Sequence, residues 1–250
     1  MMLARLGLEP ILVPTVQLGR HPGWGAPGGK PVEAETMASM LKGIDAQGAF
    51  QRLAAVISGY FAHADQVAVA ASAIATARAG SPGAYIVVDP IMGDETSGLY
   101  VRDTVANAIE ISLIPRADLI TPNAWELGRL IDAPIGGIDD ALRGARSLDR
   151  PVLVSSVPAG DEIGTLYVDA TGAWIALNPR ARQAPKGTGD LLTALFTAAR
   201  VAGRTPRAAL SAAVGGVAEA ITKADDADEL PVTAFPARLS PSKRVRIERL

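Results

Sequence analysis

Lys186-Gly187-Thr188-Gly189-Asp190, continued by Leu191-Leu192-Thr193-Ala194-Leu195-Phe196, is the stretch on which the reading of this chain turns. Two glycines carry no Cβ, so the backbone can turn tightly there and approach a ligand closely. The apolar residues that follow recur at helical spacing, so the turn opens a helix. Unpaired N–H groups and the positive dipole end at such a terminus attract phosphate oxygens. A carboxylate seated there is held ionised and can accept a proton from an alcohol beside the phosphate. The plainer alternative is a loop whose Asp caps a helix. On this segment alone the two readings stand level, because short glycine patterns occur widely.

Outward from that turn, strand-like and helix-like segments alternate. Ile11–Val13 reads as a strand, preceded by a helix that ends at Arg5-Leu6 and is stopped by Gly7. Leu18 to Gly29 holds five glycines and two prolines around Trp24, which predicts an irregular flap or hairpin. Helical patterns cover 36–41, 65–79, 104–113, 126–131, 139–148, 190–202 and 206–223. Strand patterns cover 54–58, 85–88, 119–120 and 152–154, with a hairpin of 165–169 and 173–177 around Thr171-Gly172 and a weakly patterned tail. The alternation predicts one α/β domain over residues 1–250: a doubly wound, mostly parallel sheet with helices on both faces and a small flap at about 18–30. In such sheets ligands bind at the carboxyl ends of strands. Asp89, Thr121-Pro122-Asn123 and Ser155-Ser156 all fall at strand ends, which tips the balance away from a mere cap.

Composition narrows the partners. With 250 residues, 48% hydrophobic and 20% charged, the chain has enough apolar surface for one large core. A net charge of −2 argues against nucleic acid or an anionic membrane as partner. The opening residues show no signal-peptide pattern, and no run of about 20 apolar residues could span a bilayer. There is no cysteine, so disulfides and thiolate metal sites are excluded and a reducing cytoplasm is compatible. Only two histidines are present, which argues against a transition-metal catalytic centre. Neither Gly-x-Ser-x-Gly nor the Walker pattern occurs, so a serine-hydrolase elbow and a P-loop are both excluded.

Three further clusters carry chemistry. Asp89-Pro90-Ile91-Met92-Gly93-Asp94 leaves a buried strand with two acids, sparse enough for Mg²⁺ riding on nucleotide phosphates, or simply a stiffened turn. In Thr121-Pro122-Asn123-Ala124-Trp125-Glu126, Asn123 and Glu126 have capping-box spacing, while Glu126 is also placed to face a metal's water shell. Ser155 and Ser156 either donate to phosphates or merely end a strand. His21 and Trp24 lie in the flap, where an indole can cover a planar ring; His63 is assigned no role.

Taken in order, these segments resemble the pyridoxal/pyridoxamine kinases of the ribokinase-like superfamily. The matching strings are Thr15-Val16-Gln17-Leu18 with His21 and Trp24, Ser58-Gly59-Tyr60, DPIMGD at 89–94, Gly98-Leu99-Tyr100-Val101, TPNAWEL at 121–127 and GTGD at 187–190. The resemblance implies ATP-dependent phosphorylation of the 5′-hydroxymethyl group of a vitamin B6 vitamer, in a cytoplasmic homodimer using Mg²⁺ and a monovalent cation such as K⁺. It implies Asp190 as the base and Gly187, Thr188 and Gly189 as an anion hole. It puts Asp89 and Glu126 near ATP and its metal, with Thr121 and Ser155 beside the nucleotide. His21, Pro22, Gly23 and Trp24 take the substrate flap, with Trp24 where a tyrosine is usual.

Hydroxymethylpyrimidine kinases share both the DPxM and glycine-rich turns but typically carry cysteine at the position of Asp190, which favours the B6 reading. One departure stands out. The family begins with a strand and a substrate-contacting loop before the helix ending at Arg5-Leu6, so roughly 20 residues are missing by this comparison. That departure supports an alternative expectation, a nucleotide- or vitamer-binding protein with weak catalysis. The loop between Asn178 and Lys186 is also short.

Overall fold

The computed structural model describes residues 2–181, 184–224, 229–231 and 245–250. The chain divides into two compact units, one of Ile11–Asp118 and one of Met1–Pro10 with Leu119–Leu250. The short helix α1 (Met2–Arg5) belongs to the second of these, and Gly7 after it takes a left-handed conformation, as a helix stop requires.

In the unit 11–118, the predicted strand at Ile11–Val13 is absent. Ile11 and Leu12 are 51% and 86% exposed and lie outside any helix or strand. Pro10 and Pro14 bracket this segment, removing two backbone donors and constraining the residues before them. The strand instead starts later, as β1 (Val16–Leu18), and pairs antiparallel with β2 (Gly29–Pro31). The predicted flap is therefore a hairpin, and a 3₁₀ turn at Pro22–Trp24 sits at its end. Helix α2 (Ala34–Ala46) follows, then β3 (Ala55–Ser58), α3 (Ala64–Gly80) and β4 (Tyr85–Val88). β3 and β4 pair in parallel with Ser58 opposite Val88. A right-handed crossover through α3 is the usual way to join two such strands. The small hairpin β5 (Gly93–Asp94) and β6 (Gly98–Leu99) then leads to α4 (Asp103–Ala108), which continues into a π turn at Ile109–Leu113. Arg78 on α3 donates to Asp118 at 2.6 Å, and the same carboxylate oxygen accepts from the Ile86 amide at 2.8 Å, pinning helix to strand.

The other unit contains β7 (Leu119–Ile120), α5 (Ala124–Ile131), α6 (Ile138–Ser147), β8 (Val152–Ala159), β9 (Glu162–Asp169), β10 (Gly172–Pro179), α7 (Thr188–Val201), α8 (Pro206–Ala224) and β11 (Arg246–Arg249). β7 and β8 are parallel, whereas β8, β9, β10 and β11 are joined antiparallel. The sheet is thus mixed, not mostly parallel: two-residue turns join β8–β9 and β9–β10, and so short a connection permits only antiparallel neighbours. Val152-Leu153-Val154 and Leu166-Tyr167-Val168 are buried at every successive position. Alternate residues point to opposite faces, so both faces of this sheet are covered, as expected. β11 arises from the tail that carried only a weak pattern. It is a strand of Arg246, Glu248 and Arg249 around Ile247, and an edge of that composition repels further strands.

Candidate active site

The glycine-rich turn does open a helix. Gly187 adopts φ +88°, which only glycine takes without strain, and α7 begins at the next residue. The Leu191 amide donates to the Gly187 carbonyl at 3.0 Å, the first hydrogen bond of the helix. The amides of Thr188, Gly189 and Asp190 therefore lie in the first turn, where no helical carbonyl is available to them. A Cβ built on Gly189 would meet nothing within 4 Å, so the turn is open on that side. Asp190 is exposed in the same first turn, and one of its carboxylate oxygens lies 4.0 Å from the point where a Gly187 Cβ would stand. Acid and amides share one small region, as a proton acceptor beside an anion hole requires.

The turn after β7 is fastened to this helix. Thr121 and Thr193 are both buried, and the Thr193 hydroxyl donates to the Thr121 hydroxyl at 3.0 Å. Thr193 lies three residues beyond Asp190, on the same side of α7. Asn123 caps α5 through its side-chain oxygen, which accepts from the Glu126 amide at 2.9 Å. Glu126 returns the bond by accepting from the Asn123 amide, also at 2.9 Å. Both halves of the predicted capping box are present, and Glu126 is 3% exposed.

Ser155 is tied to the same turn, since its amide donates to the Pro122 carbonyl at 3.0 Å and it forms a parallel bridge with Asn123. Between Val154 and Val157 the register of β8 on β9 shifts, so two residues face one. Ser156, at φ +59°, takes the strain of this bulge. The serines do not end a strand, as the sequence suggests: β8 runs on to Ala159, and they form the bulge inside it. They re-aim the chain beside the Thr121 turn, within the unit that also holds Gly187–Asp190.

The remaining predicted residues lie in the unit 11–118. Asp89 follows β4, is 8% exposed, and its amide donates to the Ser58 carbonyl at 3.0 Å. In the flap, His21 Nδ1 accepts from the Gly23 amide at 3.0 Å and caps the 3₁₀ turn. The His21 and Trp24 rings lie 5.8 Å apart, tilted by 60°. Pro22 and Gly23 form the turn itself; His21, Pro22 and Gly23 are exposed and Trp24 is half-buried.

Several residues escaped the sequence reading. Thr193 was one more position in an apolar helical run. Glu229 and Leu230 fell in the unpatterned tail, yet Glu229 forms a parallel bridge with Lys186, and Leu230 stands 3.5 Å from a would-be Gly187 Cβ. Nothing local distinguishes such residues, because their partners are remote in sequence. Positions 182–183 of the loop after Asn178 lie outside the described residues.

The chain is similar to proteins already known. The profile of the phosphomethylpyrimidine kinase family matches residues 32–232. A pyridoxine/pyridoxal/pyridoxamine kinase of Bordetella avium is 34% identical over 97% of this chain and 86% of its own length. A pyridoxal kinase of Deinococcus radiodurans is 36% identical over 78% of this chain and 70% of its own. Among solved structures, pyridoxal kinase from Entamoeba histolytica superposes with a TM-score of 0.92 at 22% identity, covering all of this chain and 91% of the other. That likeness shows that the two chains share one α/β fold. The chain belongs to the phosphomethylpyrimidine kinase family, among its pyridoxal kinases.

Proposed function

We propose that the protein transfers the γ-phosphoryl group of ATP to the 5′-hydroxymethyl group of pyridoxal, pyridoxamine or pyridoxine. The observation that carries this reading is the first turn of α7, where Asp190 and the amides of Thr188 and Gly189 follow a left-handed Gly187. The substrate oxygen bonds to the γ-phosphorus, the bond from that phosphorus to the bridging oxygen breaks, and ADP leaves. The hydroxyl proton goes to Asp190. Amides of Gly187, Thr188 and Gly189 receive the charge on the transferring group, so the protein's contribution is positioning and charge neutralisation. Thr121 and Ser155 contact nucleotide, and the flap residues His21, Pro22, Gly23 and Trp24 contact the vitamer ring.

Mg²⁺ takes one or two carboxylates, phosphate oxygens and several waters. Among the described residues no group of three or more His, Cys, Asp or Glu side chains is placed to hold a metal. Such a sparse set suits an ion that arrives with the nucleotide, with Asp89 and Glu126 holding its water shell. When bound, the ion neutralises charge on the phosphates. The single kinase domain, the homodimer, the cytoplasmic setting and the monovalent cation follow from the family resemblance and belong to the same proposal. No helix among the described residues is long and apolar enough to cross a membrane.

The test is ATP-dependent formation of pyridoxal 5′-phosphate by the 250-residue chain. Phosphorylation of a hydroxymethylpyrimidine without any B6 product would overturn the substrate assignment. One observation favours a second reading, nucleotide or vitamer binding with little turnover. Among the described residues of the unit 11–118, β3 pairs only with β4, leaves Ile57 37% exposed, and buries a Ser58 hydroxyl that has no hydrogen-bond partner. Sustained turnover would eliminate that reading.

A further inference from the structure

Gln66 lies in the first turn of α3 and is fully buried. Its Oε1 accepts from the amides of Ala62 at 2.9 Å and His63 at 3.3 Å. Its Nε2 donates to the carbonyls of Thr15 at 2.8 Å and Val32 at 2.6 Å. A primary amide offers two donors and two acceptor sites, and all four are used. The reverse orientation would face two N–H groups with an NH₂, so the network fixes which end is nitrogen.

Thr15 and Val32 are the two roots of the β1–β2 hairpin, immediately before β1 and after β2. They are also joined to each other, since the Val32 amide donates to the Thr15 carbonyl at 2.9 Å. A second tether runs from the Thr15 hydroxyl to the Tyr60 carbonyl at 2.7 Å. Beyond these roots the hairpin has three paired positions and a mostly exposed tip, so its own contacts fix its direction weakly. One buried amide thus holds both strands where they leave the packed part of the unit.

We propose that Gln66 is a positioning residue for the flap, setting the direction in which His21 and Trp24 are presented to the vitamer. This rests on the proposed kinase function for its link to catalysis, while the anchoring itself does not. The discriminating variant is Gln66→Glu. It keeps the acceptor toward Ala62 and His63 but loses both donors and sets a carboxylate oxygen against two carbonyls. Gln66→Met, a neutral residue of similar length, serves where the buried carboxylate prevents folding.

Expected in either variant is faster hydrogen exchange of the 16–31 amides, by about tenfold or more, with α3 beyond its first turn unchanged. The KM for pyridoxal should rise about tenfold while the KM for ATP stays within about twofold. Merely structural loss would lower the active fraction without separating the two KM values. In the wild-type protein, the Val32 amide should exchange with the protected core of α3 and not with the hairpin tip. Flap exchange at wild-type rates in the variants, KM values moving together, or a Val32 amide as labile as the tip would each overturn the proposal. If the wild-type chain forms no B6 phosphate, the kinase reading fails while the exchange data still decide whether Gln66 anchors the flap.

Discussion

The hydroxyl of Thr193 donates to the hydroxyl of Thr121 across 72 residues of sequence, buried from water. This bond locks the turn after β7 to the helix that carries Asp190, so displacing either would displace the other. Thr193→Val keeps the shape and removes the donor, at a cost of about 1 kcal/mol. The expected result is a Tm lowered by about 2–4 °C and a KM for ATP raised more than that for pyridoxal. Thr193→Ser should restore both. Thermal denaturation and steady-state kinetics on the pair of variants check this.

Asp190→Asn keeps side-chain size and removes the proposed proton acceptor. The turnover number should fall by about 10²- to 10⁴-fold. Binding of ADP, measured by calorimetry, should stay close to wild type, because the amides of the turn are unchanged. A variant with full turnover would show that another group takes the proton.

Gly29→Ala tests the flap from its opposite strand. Gly29 sits at φ +85°, and a Cβ there would stand 2.0 Å from the Gln17 carbonyl oxygen, a backbone atom that cannot step aside. The β1–β2 pairing should break locally. Increased proteolysis between residues 16 and 31, together with a raised KM for pyridoxal, is the expected pattern.

The β9–β10 turn gives a pH dependence. Partial burial pushes the Asp169 carboxyl up, but hydrogen bonds from the Thr171 hydroxyl and amide, the Tyr167 hydroxyl and the Gly172 amide outweigh it and hold the group below its ordinary value. A carboxylate so depressed adds stability above its unfolded pKa and loses it as the pH falls through the folded value. The difference in urea midpoint between wild type and Asp169→Asn should therefore be largest near neutrality and shrink below about pH 4. A difference that stays constant down to strongly acid pH would refute the coupling.

Local chemistry made much of the molecule legible. Gly187 followed by an apolar helical run could only be a turn opening a helix, because the glycine accepts a left-handed φ and the period suits α7. Asn123 and Glu126, three apart, could satisfy each other's amides wherever the chain placed them, and they do. The alternation of strands and helices set the α/β class, and the ordered motifs set the family. Tertiary structure decided the rest. Ile11–Val13 has the apolarity of a strand but pairs with no strand among the described residues, and the Arg- and Glu-rich segment 246–249 becomes one because β10 presents an edge. Thr193 and Gln66 gain their roles from Thr121, Thr15 and Val32, residues far away along the chain. Periodicity and turn chemistry act over a few neighbouring residues, whereas a buried hydrogen bond is defined by whichever groups folding brings within about 3 Å.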